Sequence, residues 1–380
     1  MKKNKVYISN FSSVSALGIH NKETLISLNN KKLNYTIYGS KFPYPVFSID
    51  KLIENYKFES NNLIKNAKTA LILLKNIEDS FINKGDIPLF VATSTGGIKE
   101  TEERYKDIII NNTDYPLFKW HFFNEISNSI KKEYPDIFKE SFTFSTACSS
   151  SGHSILQAFN LIQNGIIDRA VIIGVDILSL TTMIGFDSLK LVSHTITKPL
   201  SNKRDGLTLG EGGGVLLLES KPDSDPIAEI VAISSNSDGY HISSPDPDGI
   251  YQKECIERTL QMANINKEDI SYINAHGTGT PMNDEVEIKA IKSIFKHKPI
   301  VTSLKGFIGH TLGASAVTEL SISLLMLKEK TIFQVPDFED PIDKELIPEK
   351  SIQIEDIKYF LKNSFGFGGN NVSIIIKRLL

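Results

Sequence analysis

The two halves of this chain read alike, and an internal duplication limits the fold more than any other feature of the sequence. The first half opens on the β-rich run Val6-Tyr7-Ile8-Ser9 and the second on Ala228-Glu229-Ile230-Val231-Ala232-Ile233. Each then carries apolar residues at helical period: Leu63, Ile64, Ala67, Leu71 and Leu74, then Cys255, Ile256, Leu260 and Met262. A strand into a Gly-rich loop follows, residues 88–92 before Gly96-Gly97 and residues 272–274 before Gly277-Thr278-Gly279. A third strand, 142–145 or 300–302, leads to a helical segment, Ser154 to Ile162 in one half and Ala316 to Leu325 in the other. Both halves close on glycines before a β-rich run, Gly212-Gly213-Gly214 and Gly368-Gly369. Strands alternating with helices imply βαβ units and a largely parallel sheet. Duplication therefore predicts an α/β protein in layered α-β-α-β-α order, with halves 1–222 and 223–380 joined at the turn-like Pro222-Asp223-Ser224-Asp225-Pro226. Ligands in such sheets gather at the carboxyl ends of strands.

Three residues just past predicted strands carry reactive chemistry. Cys148 stands in Ser145-Thr146-Ala147-Cys148-Ser149-Ser150, between a strand and a helix. A helix N-terminus carries roughly half a positive charge and unpaired N–H groups, which favour thiolate over thiol. His276 lies in Asn274-Ala275-His276-Gly277-Thr278-Gly279-Thr280, and His310 in Gly309-His310-Thr311-Leu312-Gly313-Ala314. One cysteine with two glycine-flanked histidines reads as nucleophilic acyl chemistry. One pocket between the halves is expected to hold all three.

Composition removes several other classes. The chain has 380 residues, is 23% charged and carries a formal net charge of -3, without the basic excess of a nucleic-acid binder. Its most apolar stretches, such as Ala170 to Leu180, are interrupted by Asp176 and too short to span a bilayer. No signal-peptide pattern follows Met1, and two cysteines fit a reducing compartment, so a cytoplasmic protein is expected.

Taken together, these motifs resemble the elongating β-ketoacyl-acyl-carrier-protein synthases, the thiolase-fold condensing enzymes of fatty acid and polyketide synthesis. The matching stretches are Thr146 to Ser150, Asn274 to Thr280, Lys305 with Gly309-His310, Glu319, and Asn363-Ser364-Phe365-Gly366-Phe367-Gly368-Gly369-Asn370-Asn371. Arg204-Asp205-Gly206 and Leu209-Gly210-Glu211-Gly212 also fit. Where many relatives carry Arg-Pro-Phe-Asp before Arg-Asp-Gly, this chain reads Lys198-Pro199-Leu200-Ser201. The runs Ser149-Ser150-Ser151 and Gly185-Phe186-Asp187-Ser188-Leu189 lean towards specialised polyketide or aryl-polyene synthases.

The resemblance implies a thiolase-like duplicated five-layer fold and a decarboxylative Claisen condensation. Cys148 would take an acyl chain from an acyl carrier protein. His276 and His310 would hydrogen-bond the thioester carbonyl of malonyl carrier protein and stabilise the enolate. Lys305 and Glu319 would form a supporting ion pair that orients the His310 loop. The N–H groups of Cys148 and Phe367 would hold the oxyanion, with the Phe367 ring as a gate, and Thr278 and Thr280 would bind the phosphopantetheine arm. No resident cofactor is implied, because the carrier protein brings the phosphopantetheine. The implied partners are that carrier protein and a second, identical or homologous, subunit. The alternative role is that of a structural chain-length-determining subunit of a heterodimer, which usually lacks the nucleophile.

Other features have plainer readings. Ser149 and Ser150 read as helix caps, and Cys255 as a helix-face residue. Gly210 to Gly214 precedes a strand, not a helix, which argues against a nucleotide loop. Thr93-Ser94-Thr95-Gly96-Gly97 is expected to help form the acyl pocket, whose depth residues near Thr95 and Phe186 would set. A metal at His276 and His310 would lack an acidic or Cys ligand at suitable spacing. His241 reads as either a mouth residue or a surface one. Lys65, Lys68, Lys203 and Arg204 are candidates for a basic patch facing an acidic carrier protein, each of them more simply a solvated surface charge.

Overall fold

Near-continuous apolar runs such as Ala170-Val171-Ile172-Ile173 suit strands covered on both faces, and the chain folds them into the middle of a layered body. The computed structural model describes residues 3–54, 56–58, 63–112, 120–355 and 357–379. Its main sheet comprises Val6–Val14 (β1), Leu89–Ala92 (β2), Ser141–Phe144 (β3), Arg169–Asp176 (β4), Gly212–Glu219 (β5), Ala228–Ser237 (β6), Ile270–Asn274 (β7), Ile300–Thr302 (β8), Tyr359–Gly366 (β9) and Asn370–Arg378 (β10). The first five strands lie in the order β3-β2-β4-β5-β1 and the second five in the order β8-β7-β9-β10-β6. The second set thus repeats the first strand for strand. The two sets join where β1 meets β6 through Val6, Tyr7 and Ile8.

The sheet is mixed, which corrects the expectation of a largely parallel one. Within each set, β2 runs parallel to β3 and β4, and β7 to β8 and β9. The remaining pairs are antiparallel. The reason lies in the connections, since a parallel neighbour requires a crossover of a dozen or more residues. Only Phe367–Gly369 separates β9 from β10, so the chain must reverse. Between β4 and β5 the one long helix, Leu180–Ser188, packs on the helix Ile98–Asn111 instead of crossing the sheet.

The helices that build the layers are Lys65–Lys75 (α1), Glu125–Glu133 (α2), Ser150–Gln163 (α3), Ile250–Ala263 (α4), Pro281–Ile294 (α5) and Ser315–Lys328 (α6). Helices α3 and α6 pack on each other and touch strands of both sets, which makes them the central layer. Helix α6 is buried from Ser315 to Leu327, as a helix enclosed on all sides must be. Helices α1 and α2 cover the outer face of the first set, and α4 and α5 that of the second. The order is therefore α-β-α-β-α. The central layer positions the site, because α3 follows the Cys148 loop and α6 follows the His310 loop.

Close approach of α6 to the sheet depends on missing side chains. A Cβ on Gly214 would stand 2.8 Å from the Thr318 nitrogen, while one on Gly185 would meet nothing within 4 Å. Gly214→Ala is expected to lose about 1–3 kcal/mol by overpacking. Gly185→Ala, inside a helix, should be neutral or gain up to about 1 kcal/mol. Urea unfolding of the two variants checks the contrast, and equal stabilities would contradict this packing.

Candidate active site

Strand β3 delivers the chain into a tight loop, and Ala147 takes a left-handed φ of 51° to turn it into α3. A non-glycine residue accepts that at roughly 1–2 kcal/mol, and the turn leaves Cys148 at the start of the helix. Ser149 occupies the N-cap position without capping, which corrects the reading of these serines as caps. Its hydroxyl instead donates to Thr146 O at 2.9 Å, and Ser150 Oγ donates to Ala147 O at 2.6 Å while accepting from Thr146 N. The hydroxyls stitch the loop, not the helix. Ser364 Oγ of β9 adds a bond to Cys148 O at 3.2 Å.

The thiol is buried, and burial pushes it up to about 11. The Phe367 N–H, the Lys305 charge and the N–H of Cys148 itself pull the other way. Sequence reasoning expected the helix start to favour the thiolate; removal from water outweighs it. Both N–H groups nonetheless act on the same sulfur.

His276 follows β7 in a loop pinned by carboxylates from α5. Its N–H and that of Gly277 donate to Glu287 at 2.9 Å each, and the Gly279 N–H reaches Asp284 at 3.1 Å. Burial raises both carboxyl groups above their usual range. His310 follows β8, and its ring stands 5.5 Å from that of His276 in an edge-on arrangement. Leu312 N–H donates to His310 Nδ1 at 3.1 Å, so that nitrogen keeps its lone pair and the proton sits on Nε2. Lys305 Nζ lies 3.5 Å from His276 Nδ1, which sets the same tautomer there. Both imidazoles are held well below 6.5, first by burial and then by the Lys305 charge. Both are therefore neutral donors.

Behind them lies a cluster fully shut off from water. Glu319 of α6 takes Lys305 Nζ on one oxygen at 2.6 Å and Lys362 Nζ of β9 on the other at 2.8 Å. Lys305 also donates to His276 O at 2.6 Å, so its side chain braces the His276 loop, while its own carbonyl accepts the Gly309 N–H beside His310 at 2.9 Å. Sequence reasoning missed Lys362, Glu287 and Asp176. A lone lysine between Leu361 and Asn363 in an apolar strand was the available signal for the first.

One cavity of about 210 Å³ is lined by Cys148, His276, His310, Thr278, Thr280 and Phe367, among others. The Thr278 and Thr280 hydroxyls are 2.8 Å apart on its wall. The Phe367 ring leans on Phe186 at 5.6 Å between centroids. His241 lines the cavity and is exposed, so it sits at the mouth. The Thr93 to Gly97 loop is not part of this lining. Thr93, Ser94 and Thr95 turn their hydroxyls to Asp176, which also accepts the Gly313 N–H at 2.6 Å. Two basic-patch candidates fall inside as well. Lys65 is buried against Glu211 and Asp50, and Arg204 donates to Ser201 O and Pro281 O. Lys203 is half exposed and pairs with Glu339, and Lys68 lies over the Phe58 ring. Cys255 is buried in α4. Among the described residues no group of three His, Cys, Asp or Glu is placed to hold a metal, and no helix is long and apolar enough to cross a membrane.

Comparison with known proteins adds a family. The family model described as Beta-ketoacyl synthase, N-terminal domain, matches residues 66–224, and its C-terminal counterpart matches residues 227–339. The 3-oxoacyl-acyl-carrier-protein synthase 2 of Staphylococcus aureus (strain COL) is 35% identical over 253 residues, or 61% of this chain and 60% of that protein. The Vibrio cholerae protein of the same name is 33% identical over 254 residues, 62% of this chain and 61% of its own. The chain thus spans about 60% of the length of the curated relatives it matches. A chain of the complex of ketosynthase ApeO with its chain length factor ApeC, from Xenorhabdus doucetiae, superposes with a TM-score of 0.88 at 27% identity, covering 99% of this chain and 98% of that one. The ishigamide ketosynthase/chain length factor shares the fold, with a TM-score of 0.88 at 19% identity over the full length of both chains.

The low imidazole values have a stability consequence. The folded values lie below the unfolded value near 6.5. As pH falls below 6.5, the unfolded chain takes up protons that the folded chain refuses, so stability falls. Each imidazole contributes about 1.4 kcal/mol per pH unit in that window. His310→Gln should flatten the fall of stability between pH 6 and pH 5 by that amount. Denaturant unfolding across the range checks it, and identical slopes would contradict neutral burial of His310.

Proposed function

Because the chain belongs to the β-ketoacyl synthase family, we propose that it condenses a Cys148-bound acyl chain with malonyl carrier protein in fatty acid or polyketide synthesis. The observation that carries this reading is the cavity in which a thiol and two neutral imidazole donors meet.

In the first half-reaction Cys148 Sγ attacks the thioester carbon of an acyl carrier protein. A C–S bond forms, the C–S bond to the pantetheine breaks, and the proton leaving Cys148 ends on the departing pantetheine thiol. The Cys148 and Phe367 N–H groups meet the oxyanion. In the second, malonyl thioester loses carbon dioxide, and the electron pair of the broken C–C bond becomes an enolate. The Nε2–H groups of His276 and His310 receive its oxygen, each worth roughly 3–4 kcal/mol when pre-positioned. The enolate carbon attacks the acyl-Cys148 carbonyl, the C–S bond breaks, and the released thiolate regains a proton from water. A group held near 11 favours that last protonation.

The carrier arm would pass Thr278 and Thr280 on its way to the sulfur. Partners in this reading are the carrier protein and a homologous or identical second subunit, in the cytoplasm. The halves 1–222 and 223–380 would act as its two domains, since β5 ends at Glu219 and β6 begins at Ala228. The role of a structural chain-length subunit fits less well, because Cys148 and both histidines are intact.

Mass spectrometry after incubation with an acyl carrier thioester should show an acyl adduct on Cys148, absent in Cys148→Ala. His276→Ala and His310→Ala should keep the adduct and lose roughly 10²–10³-fold in malonyl decarboxylation. An unmodified wild-type thiol under these conditions would overturn the assignment.

A further inference from the structure

Lys362 has no part in the chemistry above, yet it is a fully buried cation placed next to it. Its Nζ lies 2.8 Å from Glu319 Oε2 and 2.7 Å from Asn363 O, with no exposure to water. Glu319 is already satisfied on its other oxygen by Lys305 at 2.6 Å. Two ammonium groups therefore share one carboxylate, and the trio carries one surplus positive charge. A buried cation on an anion that already has a partner is costly, since desolvation offsets much of the attraction. Stability gives little reason for it. Function gives one, because Lys305, which shares the carboxylate with Lys362, lies 3.5 Å from the ring of an imidazole that would receive an enolate.

We propose that Lys362 is a positioning residue for the condensation: through Glu319 and Lys305 it fixes the His276 loop, and its charge adds to the positive field behind the imidazoles that would receive the developing enolate. This rests on the function proposed above. The path is continuous, from Lys362 to Glu319, from Glu319 to Lys305, and from Lys305 to His276 O. The Lys362 charge also reaches both imidazoles directly and disfavours their protonation. Fixed charge in a water-free site acts on a developing anion without reorganising, which is where electrostatic stabilisation is strongest.

The environment of Lys362 makes the idea testable by pH. Glu319 faces it from α6, Lys305 from the short helix Lys305–Ile308, and Glu287 from α5 through Asn363. From β7, Asn274 stands opposite it in register and carries no charge. Burial lowers Lys362 to about 8, with Lys305 adding to the shift and Glu319 and Glu287 opposing it. Above that pH the surplus charge disappears.

The test uses the full chain with Lys362→Met, which keeps the apolar stem and leaves Glu319 paired with Lys305. Three readouts are taken: decarboxylation of malonyl carrier protein from pH 6 to 10, acylation of Cys148 by mass, and histidine titration by NMR. The variant is expected to acylate normally and to melt no lower than wild type. Its kcat at pH 7 should fall about tenfold or more with KM unchanged, and the fall in wild-type rate above about pH 8 should vanish. Both imidazoles should titrate at higher pH than in wild type. Wild-type kcat with an unchanged alkaline limb, or unshifted imidazoles, would overturn the assignment. A rate loss matched by a lower melting temperature would also overturn it, as a structural role predicts. Lys362→Gln serves if the methionine variant does not fold. A wild-type protein that neither acylates nor decarboxylates would instead overturn the proposed function, and the NMR titration would still decide on Lys362.

Discussion

A carboxylate without access to water, Glu319, fixes the half of this structure that carries His276 and His310. A charge at that depth without any partner would be strongly destabilising, so the carboxylate must hold a cation, and here it holds two. The two cations come from different elements, Lys305 from the loop after β8 and Lys362 from β9. Lys305 then reaches the backbone of His276. One helix residue thereby ties a strand, a loop and a catalytic histidine into a single arrangement. Glu287 does the same from α5, holding two successive N–H groups of the His276 loop and the Asn363 amide.

The duplicated topology explains why a nucleophile and its partners meet at all. Cys148 follows the third strand of the first set, and His310 follows the third strand of the second. The two helices that begin beside them, α3 and α6, form the central layer and pack together. Ser151 Oγ of α3 accepts the Val317 N–H of α6 at 3.2 Å. Asp176, at the end of β4, closes the junction by binding Ser94 of one half and Gly313 of the other. Equivalent loops in the two halves thus carry different chemistry, sulfur on one side and imidazole on the other, and both face one cavity.

Much of this was legible before any coordinates. The repeat of strand, helix and glycine loop announced the two five-stranded sets, and the Cys148, His276 and His310 motifs marked one cavity. Strand direction was not legible, because it depends on the length and path of connections such as Phe367–Gly369. Burial was not legible either. Lys65 and Arg204 read as surface charges and turned out to be paired inside, since a lysine in sequence says nothing about the Glu211 brought to it from 146 residues away. The Asp176 carboxylate that takes the hydroxyls of Thr93, Ser94 and Thr95 comes likewise from 81 to 83 residues away.

Burial also decides how the site can work. It raises the thiol and lowers both imidazoles, so all three groups rest uncharged in the cavity at neutral pH. The ion pairs stand one layer behind, on Lys305, Glu319 and Lys362. A resting thiolate would favour attack but would stay bound to the protonated imidazoles it attracted, and those would no longer sit ready as neutral donors. In the proposed condensation, a neutral first layer backed by positive charge would instead answer whichever oxygen becomes anionic next, first the thioester oxyanion and then the enolate. In that proposed condensation the site accepts a weaker nucleophile at rest in exchange for imidazoles that stay neutral donors while the Cys148 proton leaves and returns.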